Sequence, residues 1–114
     1  MDERRNSERI DAYQVGLAAV NDVDGEQLGV IGNLSLGGMM LIANQQLQAG
    51  GILQLKIDVP KELGSGLIYV GVKILWCTPA NSPKEYWAGL ETIDISDRDR
   101  DSLQQLLDQL TEAH

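Results

Sequence analysis

The 114-residue chain carries one cysteine, one histidine, no phenylalanine and only three prolines. A lone Cys77 cannot close an intramolecular disulfide, nor can it build a cysteine-based zinc cage. The single histidine, His114, is the last residue, so histidine-centred chemistry has nothing to build on. No apolar run approaches the roughly twenty residues of a membrane-spanning helix, and the charged first residues lack the apolar stretch of a secretory signal. The expectation is a cytoplasmic chain with no membrane span. With no His-Asp-Ser set, no metal cluster and no phosphate-binding loop before a helix, it is not expected to be an enzyme.

Positive charge is scarce too. Nine basic residues face seventeen acidic ones, a formal net charge of −8, whereas DNA or RNA binding depends on a basic surface that releases counterions. The distribution is more informative than the sum. Three of the nine basic residues stand at positions 4, 5 and 9, while Asp94, Asp97, Asp99, Asp101, Asp108 and Glu112 load the other end. A local arginine cluster in an acidic chain suits a compact diphosphate ligand better than a long nucleic-acid strand.

What is present is alternation. Apolar and polar residues alternate over residues 12–95, punctuated by Gly, Asn, Asp and Pro as an antiparallel sheet requires. Tyr13, Val15, Leu17 and Ala19 recur with period two. Asn21-Asp22-Val23-Asp24-Gly25 then supplies a tight hairpin into residues 28–31. Residues 33–38 reverse the chain before residues 39–43. Leu53, Leu55, Ile57 and Val59 alternate with Gln54, Lys56 and Asp58, giving a half-buried strand that Pro60 closes. Beyond Gly64-Ser65-Gly66, the stripe Ile68, Val70, Val72, Ile74 and Trp76 marks a long strand, and residues 86–95 complete about six, enough to curl into a small closed or split barrel. The period then changes. Ser96 is the expected N-cap, Asp97 and Asp99 suit the positive end of a helix dipole, and Leu103, Leu106, Leu107 and Leu110 form an i, i+3, i+4, i+7 stripe. That stripe can cover the barrel's open end or a second copy, leaving monomer and homodimer both open. The expected organisation is one domain: a flexible arm over residues 1–11, then a barrel over 12–114 with a helix at about 96–112.

Two short runs carry the chemistry. Arg5 and Arg9 form Arg-x-x-x-Arg behind an extra Arg4, and Asn33-Leu34-Ser35-Leu36-Gly37-Gly38 stands downstream. A guanidinium can donate in parallel to a phosphate or to the O6 and N7 of guanine, and its face can stack on a base. On an extended segment, residues four apart point the same way at roughly 13 Å, a span that reaches different groups of a dinucleotide. Each run is common alone, but both in one chain of this length are roughly a one-in-a-hundred coincidence.

Together and in this order, the runs resemble the signature of the PilZ domain, a family of bacterial receptors for cyclic di-GMP: Arg-x-x-x-Arg, then [Asp/Asn]-x-Ser-x-x-Gly. The resemblance covers nearly the whole chain and implies a mainly β fold, a six-stranded antiparallel split barrel with a C-terminal amphipathic helix. Trp76 followed by Gly89-Leu90-Glu91 is also similar to the family's Trp and Gly-[aliphatic]-x-aromatic, with Thr92 in the place of the aromatic.

The resemblance further implies site roles. Arg5 and Arg9 take phosphates and one Hoogsteen edge, Asn33 accepts from the guanine N1–H and N2–H edge, and Ser35 donates its hydroxyl. Gly38 and Gly37 permit φ > 0 and close approach of backbone to ligand. Arg4 is similar to the arginine of members that hold two intercalated cyclic di-GMP molecules. Trp76 is read two ways, as a stacking platform or, continuing the apolar stripe, as a core or barrel-rim residue, and Trp87 as core or rim with no ligand role. The implied function is a cyclic di-GMP receptor or adaptor whose arm orders on binding and which signals to an unidentified effector protein. A second reading keeps the fold as an interaction module that binds no nucleotide and docks partners through its acidic helix.

Overall fold

The computed structural model describes residues 8–112. Its strands are β1 (Ile10–Asp11), β2 (Ala18–Asn21), β3 (Gln27–Leu34), β4 (Gly38–Ala43), β5 (Ile52–Val59), β6 (Gly66–Pro79) and β7 (Tyr86–Asp94), followed by one helix, α1 (Asp97–Glu112). Six of the strands close a ring in the order β3-β2-β5-β6-β7-β4, every pair antiparallel, with the β3–β4 ladder sealing it. The expected six-stranded antiparallel barrel with its terminal helix is therefore what the chain forms. Among the described residues, closure pairs each of the six strands with a neighbour on both sides. Alternation fills the interior: Leu28, Ile31, Leu41, Leu55, Ile57, Ile68, Val70, Val72 and Leu90 are all buried.

The seventh strand, β1, is only two residues long and continues the line of β2 along β3. Ile10 pairs with Leu34 and Asp11 with Asn33, whereas β2 pairs with β3 nearer its start. Between them the chain leaves the ladder. The expectation of a continuous strand through Tyr13 and Val15 is corrected here: Tyr13–Val15 is a 3-10 turn ending on Gly16 at φ 77°. Asp11 causes this locally, its Oδ1 accepting from the Tyr13 amide at 3.0 Å, and the Ala12 carbonyl accepts from the Val15 amide. The ladder resumes without losing register, because Ala12 donates to Gly32 and Leu17 accepts from Ile31, adjacent residues of β3. Residues 13–16 are thus an excursion that pushes Tyr13 outward, 60% exposed.

A second irregularity lies in β6. Ile74 faces Leu90 and Trp76 faces Gly89, so Leu75 is an extra residue opposite no partner. A one-residue insertion inverts the alternation beyond it. Residues 68, 70, 72 and 74 therefore point inward, while Trp76 emerges on the outer face, 42% exposed. The reading of Trp76 as a core residue continuing the stripe is corrected by this bulge.

The helix closes the barrel's end as its leucine stripe allows. Leu103, Leu106, Leu107 and Leu110 are all buried within this one chain, with α1 touching β6, β1 and the 3-10 turn Lys61–Leu63. Ser96 caps it: its Oγ accepts from the Asp99 amide at 3.0 Å and donates to Asp99 Oδ2 at 2.8 Å. Asp99 itself is buried, and its Oδ1 accepts from the Tyr69 amide at 3.3 Å. Tyr69 lies in the part of β6 that extends past the end of β7, so the capping residue also satisfies a backbone donor that the sheet leaves unpaired.

Candidate ligand-binding site

One residue from each of the two runs, Arg9 and Asn33, reaches one place. Arg9 directly precedes β1, and the Asp11–Asn33 pairing of β1 with β3 sets Arg9 beside Asn33. The guanidinium donates from Nη1 to Asn33 Oδ1 at 3.0 Å, linking residues 24 apart in sequence. Both side chains lie at one end of a groove of about 800 Å³ on the outer face of the barrel, a size typical of small-molecule sites.

The groove's floor is set by strand register. Val30 faces Ile42 and Ile42 faces Trp87, so these three make an apolar row across β3, β4 and β7. Asn33, Met40 and Gly89 form the neighbouring row. Tyr13, thrown outward by the 3-10 excursion, stands in the wall together with Gln27 and Asn44, and Asn81, Ser82 and Glu85 from the β6–β7 loop close the far side. An apolar floor with an indole, ringed by amides and hydroxyls, can take a flat heteroaromatic ring and satisfy its edges.

The charges that the described residues bring to the groove do not favour an anion. Among the described residues lining the groove Arg9 is the only basic one, and Asp11 and Glu85 stand there too. One guanidinium against two carboxylates does not attract a dianion. Arg4 and Arg5, the other arginines singled out from the sequence, lie outside the described residues; they are the nearest cations in sequence that could reverse this balance.

The remaining motif residues shape the β3–β4 turn. Ser35 is buried, and its Oγ accepts from the Gly38 amide and donates to the Gly38 carbonyl, each at 3.1 Å. The Ser35 amide donates to the same carbonyl at 2.9 Å. Gly38 does not occupy the left-handed region expected of it; it is glycine because a Cβ there would collide with the carbonyl oxygen of Leu90 on β7. Gly37 ties the turn to the barrel by accepting from the Thr92 amide at 2.9 Å. Neither Ser35 nor the two glycines line the groove. Gly38→Ala is accordingly expected to lower stability by about 1–3 kcal/mol through overpacking against β7. Urea denaturation checks this, and an unchanged midpoint would remove the steric role.

Of the two tryptophans, Trp87 is the one that meets the groove. Trp87, expected to have no ligand role, lines the groove, and Trp76 does not. Trp76 lies one row along the same outer face with its indole across Gly89, where a Cβ would collide with it. Outward alternation of Trp87, Gly89 and Glu91 along β7 was the available signal for Trp87. Thr92, where the family's aromatic is usual, has its Oγ1 buried with no hydrogen-bond partner among the described residues.

The fold has solved counterparts. The Bacillus subtilis inhibitor of motility MotI/DgrA superposes with a TM-score of 0.76 at 21% identity, covering 97% of this chain and 52% of that one. The PilZ domain of Escherichia coli YcgR, solved with c-di-GMP, gives 0.73 at 18% identity, covering 97% of this chain and 94% of that one. A second structure of YcgR in complex with c-di-GMP gives 0.73 at 19%, and there this chain spans 47% of its counterpart. The chain thus spans about half the length of MotI/DgrA and of the longer YcgR chain. Among curated proteins none matches it. The PilZ domain profile matches residues 3–109, nearly the entire sequence, and with the barrel and the helix in place, this chain belongs to the PilZ domain family, a family of non-catalytic receptor domains.

Proposed function

We propose that this chain is a cyclic di-GMP receptor that uses the groove at Arg9 and Asn33 and passes the signal to an effector protein. The observation that carries the reading is the 3.0 Å bond between Arg9 and Asn33, which unites two motif halves at the end of a groove with an aromatic floor. Guanine stacks on the Trp87 side of the floor, with its N1–H and N2–H edge turned to Asn33. The Asn33 Oδ1 has two lone pairs and Arg9 uses one, so the second can accept from the base. The guanidinium of Arg9 takes a phosphate or a Hoogsteen edge. Arg4 and Arg5 supply the positive charge that the groove itself lacks, and Arg4 stacks on the guanine of a second, intercalated molecule. The arm over residues 1–9 closes onto the nucleotide, and the surface so formed is what the effector reads.

Titration calorimetry with cyclic di-GMP, GTP and cyclic di-AMP tests the reading. Binding of the first alone is expected, with two molecules per chain in the wild type and one in Arg4→Ala. Hydrogen exchange over residues 1–12 is expected to slow at saturation. Absence of binding by the wild-type chain would shift the weight to a PilZ-fold interaction module that takes no nucleotide.

A further inference from the structure

A second groove, about 530 Å³, runs between α1, the root of the arm and the β3–β4 turn. Ile10, Leu36 and Leu107 supply its apolar surface, and Glu8, Asp108 and Glu112 its charge. We propose that this groove docks a cationic amphipathic segment of the effector protein, apolar side chains on the floor and Lys or Arg on the rim.

Three observations favour that occupant. The rim acids stand where helix energetics oppose them: among the described residues Asp108 and Glu112 fall in the last five positions of α1, whose last turn has no basic residue, and the negative end of the macrodipole destabilises carboxylates there. The one ion pair among the described residues is Arg98–Asp99, so no described cation neutralises the rim. Other occupants fit less well. No group of three potential metal ligands occurs among the described residues, and a second copy would bring a net charge of −8 toward this one.

The groove also shares its wall with the nucleotide groove. Extended backbone turns alternate residues to opposite sides: Arg9 and Asp11 line the first groove, Glu8 and Ile10 the second. The β3–β4 segment divides the same way, Asn33 toward the first and Leu36 toward the second. Reordering the arm around a nucleotide therefore moves one side of the docking groove. This link rests on the proposed nucleotide reading; the docking surface itself does not.

The probe is a fluorescein-labelled peptide of Leu-Lys-Lys-Leu repeats, titrated into the full chain by anisotropy and mapped by amide chemical shifts. Shifts are expected at Glu8, Ile10, Leu36 and the last turn of α1. Asp108→Lys with Glu112→Lys is expected to weaken binding by about tenfold or more, while raising the thermal midpoint because the dipole now favours the side chains. Glu26→Lys with Asp58→Lys, acidic and exposed elsewhere, serves as the charge-matched control and should match wild type to within the loss of net charge. Shifts spread over all acidic faces, or an equal loss in the control, overturn the docking site. For the link, saturating cyclic di-GMP is expected to change peptide affinity by about fivefold or more. Unchanged affinity with the nucleotide demonstrably bound overturns the link. If calorimetry shows no nucleotide binding, the receptor reading has failed, and the peptide titrations still decide the docking site.

Discussion

Arg9→Ala is expected to lower the affinity for cyclic di-GMP by roughly 10- to 100-fold, because a charge-assisted hydrogen bond contributes about 1.5–3 kcal/mol. The loss is concentrated in binding. Arg9 is exposed and its neutral partner Asn33 lies at the same surface, so the fold should lose less than about 1 kcal/mol, as for other exposed polar pairs. Arg9→Lys separates charge from shape: the ammonium keeps the Coulomb attraction but cannot donate in parallel or hold the planar fork against Asn33. An intermediate affinity is expected. Calorimetry beside thermal melting provides the check, and an Arg9→Ala affinity within twofold of wild type would remove Arg9 from the site.

Leu110→Ala is expected to destabilise the protein by about 2–5 kcal/mol, the range for emptying a packed leucine site. Leu110 is fully buried, and with Leu103, Leu106 and Leu107 it holds α1 on the barrel. The helix cannot stand alone. At 16 residues with most positions polar, it is marginal in water without tertiary packing, so loss of the anchor should release its last turns and expose the barrel end. Urea unfolding followed by far-ultraviolet circular dichroism measures this. A loss below about 1 kcal/mol would mean that the last turn of the helix contributes little to closing the barrel.

Much of the scaffold was legible because local chemistry and tertiary structure agree. Leu55, Ile57, Ile68, Val70 and Val72 alternate with polar or glycine neighbours and are buried as a barrel interior requires. Ser96 caps α1 in the way a Ser three residues before an Asp suggests, and the four leucines at helical spacing meet the barrel. For the site, Arg9 and Asn33 are singled out through the family resemblance, with separate roles toward a ligand, and the structure puts the two side chains in direct hydrogen-bond contact.

The positions that depart from expectation share one cause, a local pattern overridden by a contact or an insertion it does not encode. Trp76 extends the period-two stripe of Ile68, Val70, Val72 and Ile74, but Leu75 is an inserted residue that inverts the facing of the strand beyond it. Nothing in the alternation marks such an insertion. Tyr13 alternates with Val15 and Leu17, yet a side-chain bond from Asp11 and the left-handed Gly16 draw residues 13–16 out of the ladder. Ser35 is expected to donate its hydroxyl to a base or phosphate edge, but it is buried in the β3–β4 turn and donates to the Gly38 carbonyl instead.

The sequence by itself determined the class of fold, the strand faces between irregularities, the cap and buried stripe of the helix, and the presence of a guanidinium and an amide in two short runs. These arise from periodicity and residue chemistry, which act over a few residues. Tertiary structure alone decided which tryptophan floors the groove, why Gly38 must lack a side chain, and how Arg9 and Asn33 come within 3.0 Å. Those depend on ladder register and barrel closure, where one extra residue on one strand changes the outcome without altering the local pattern.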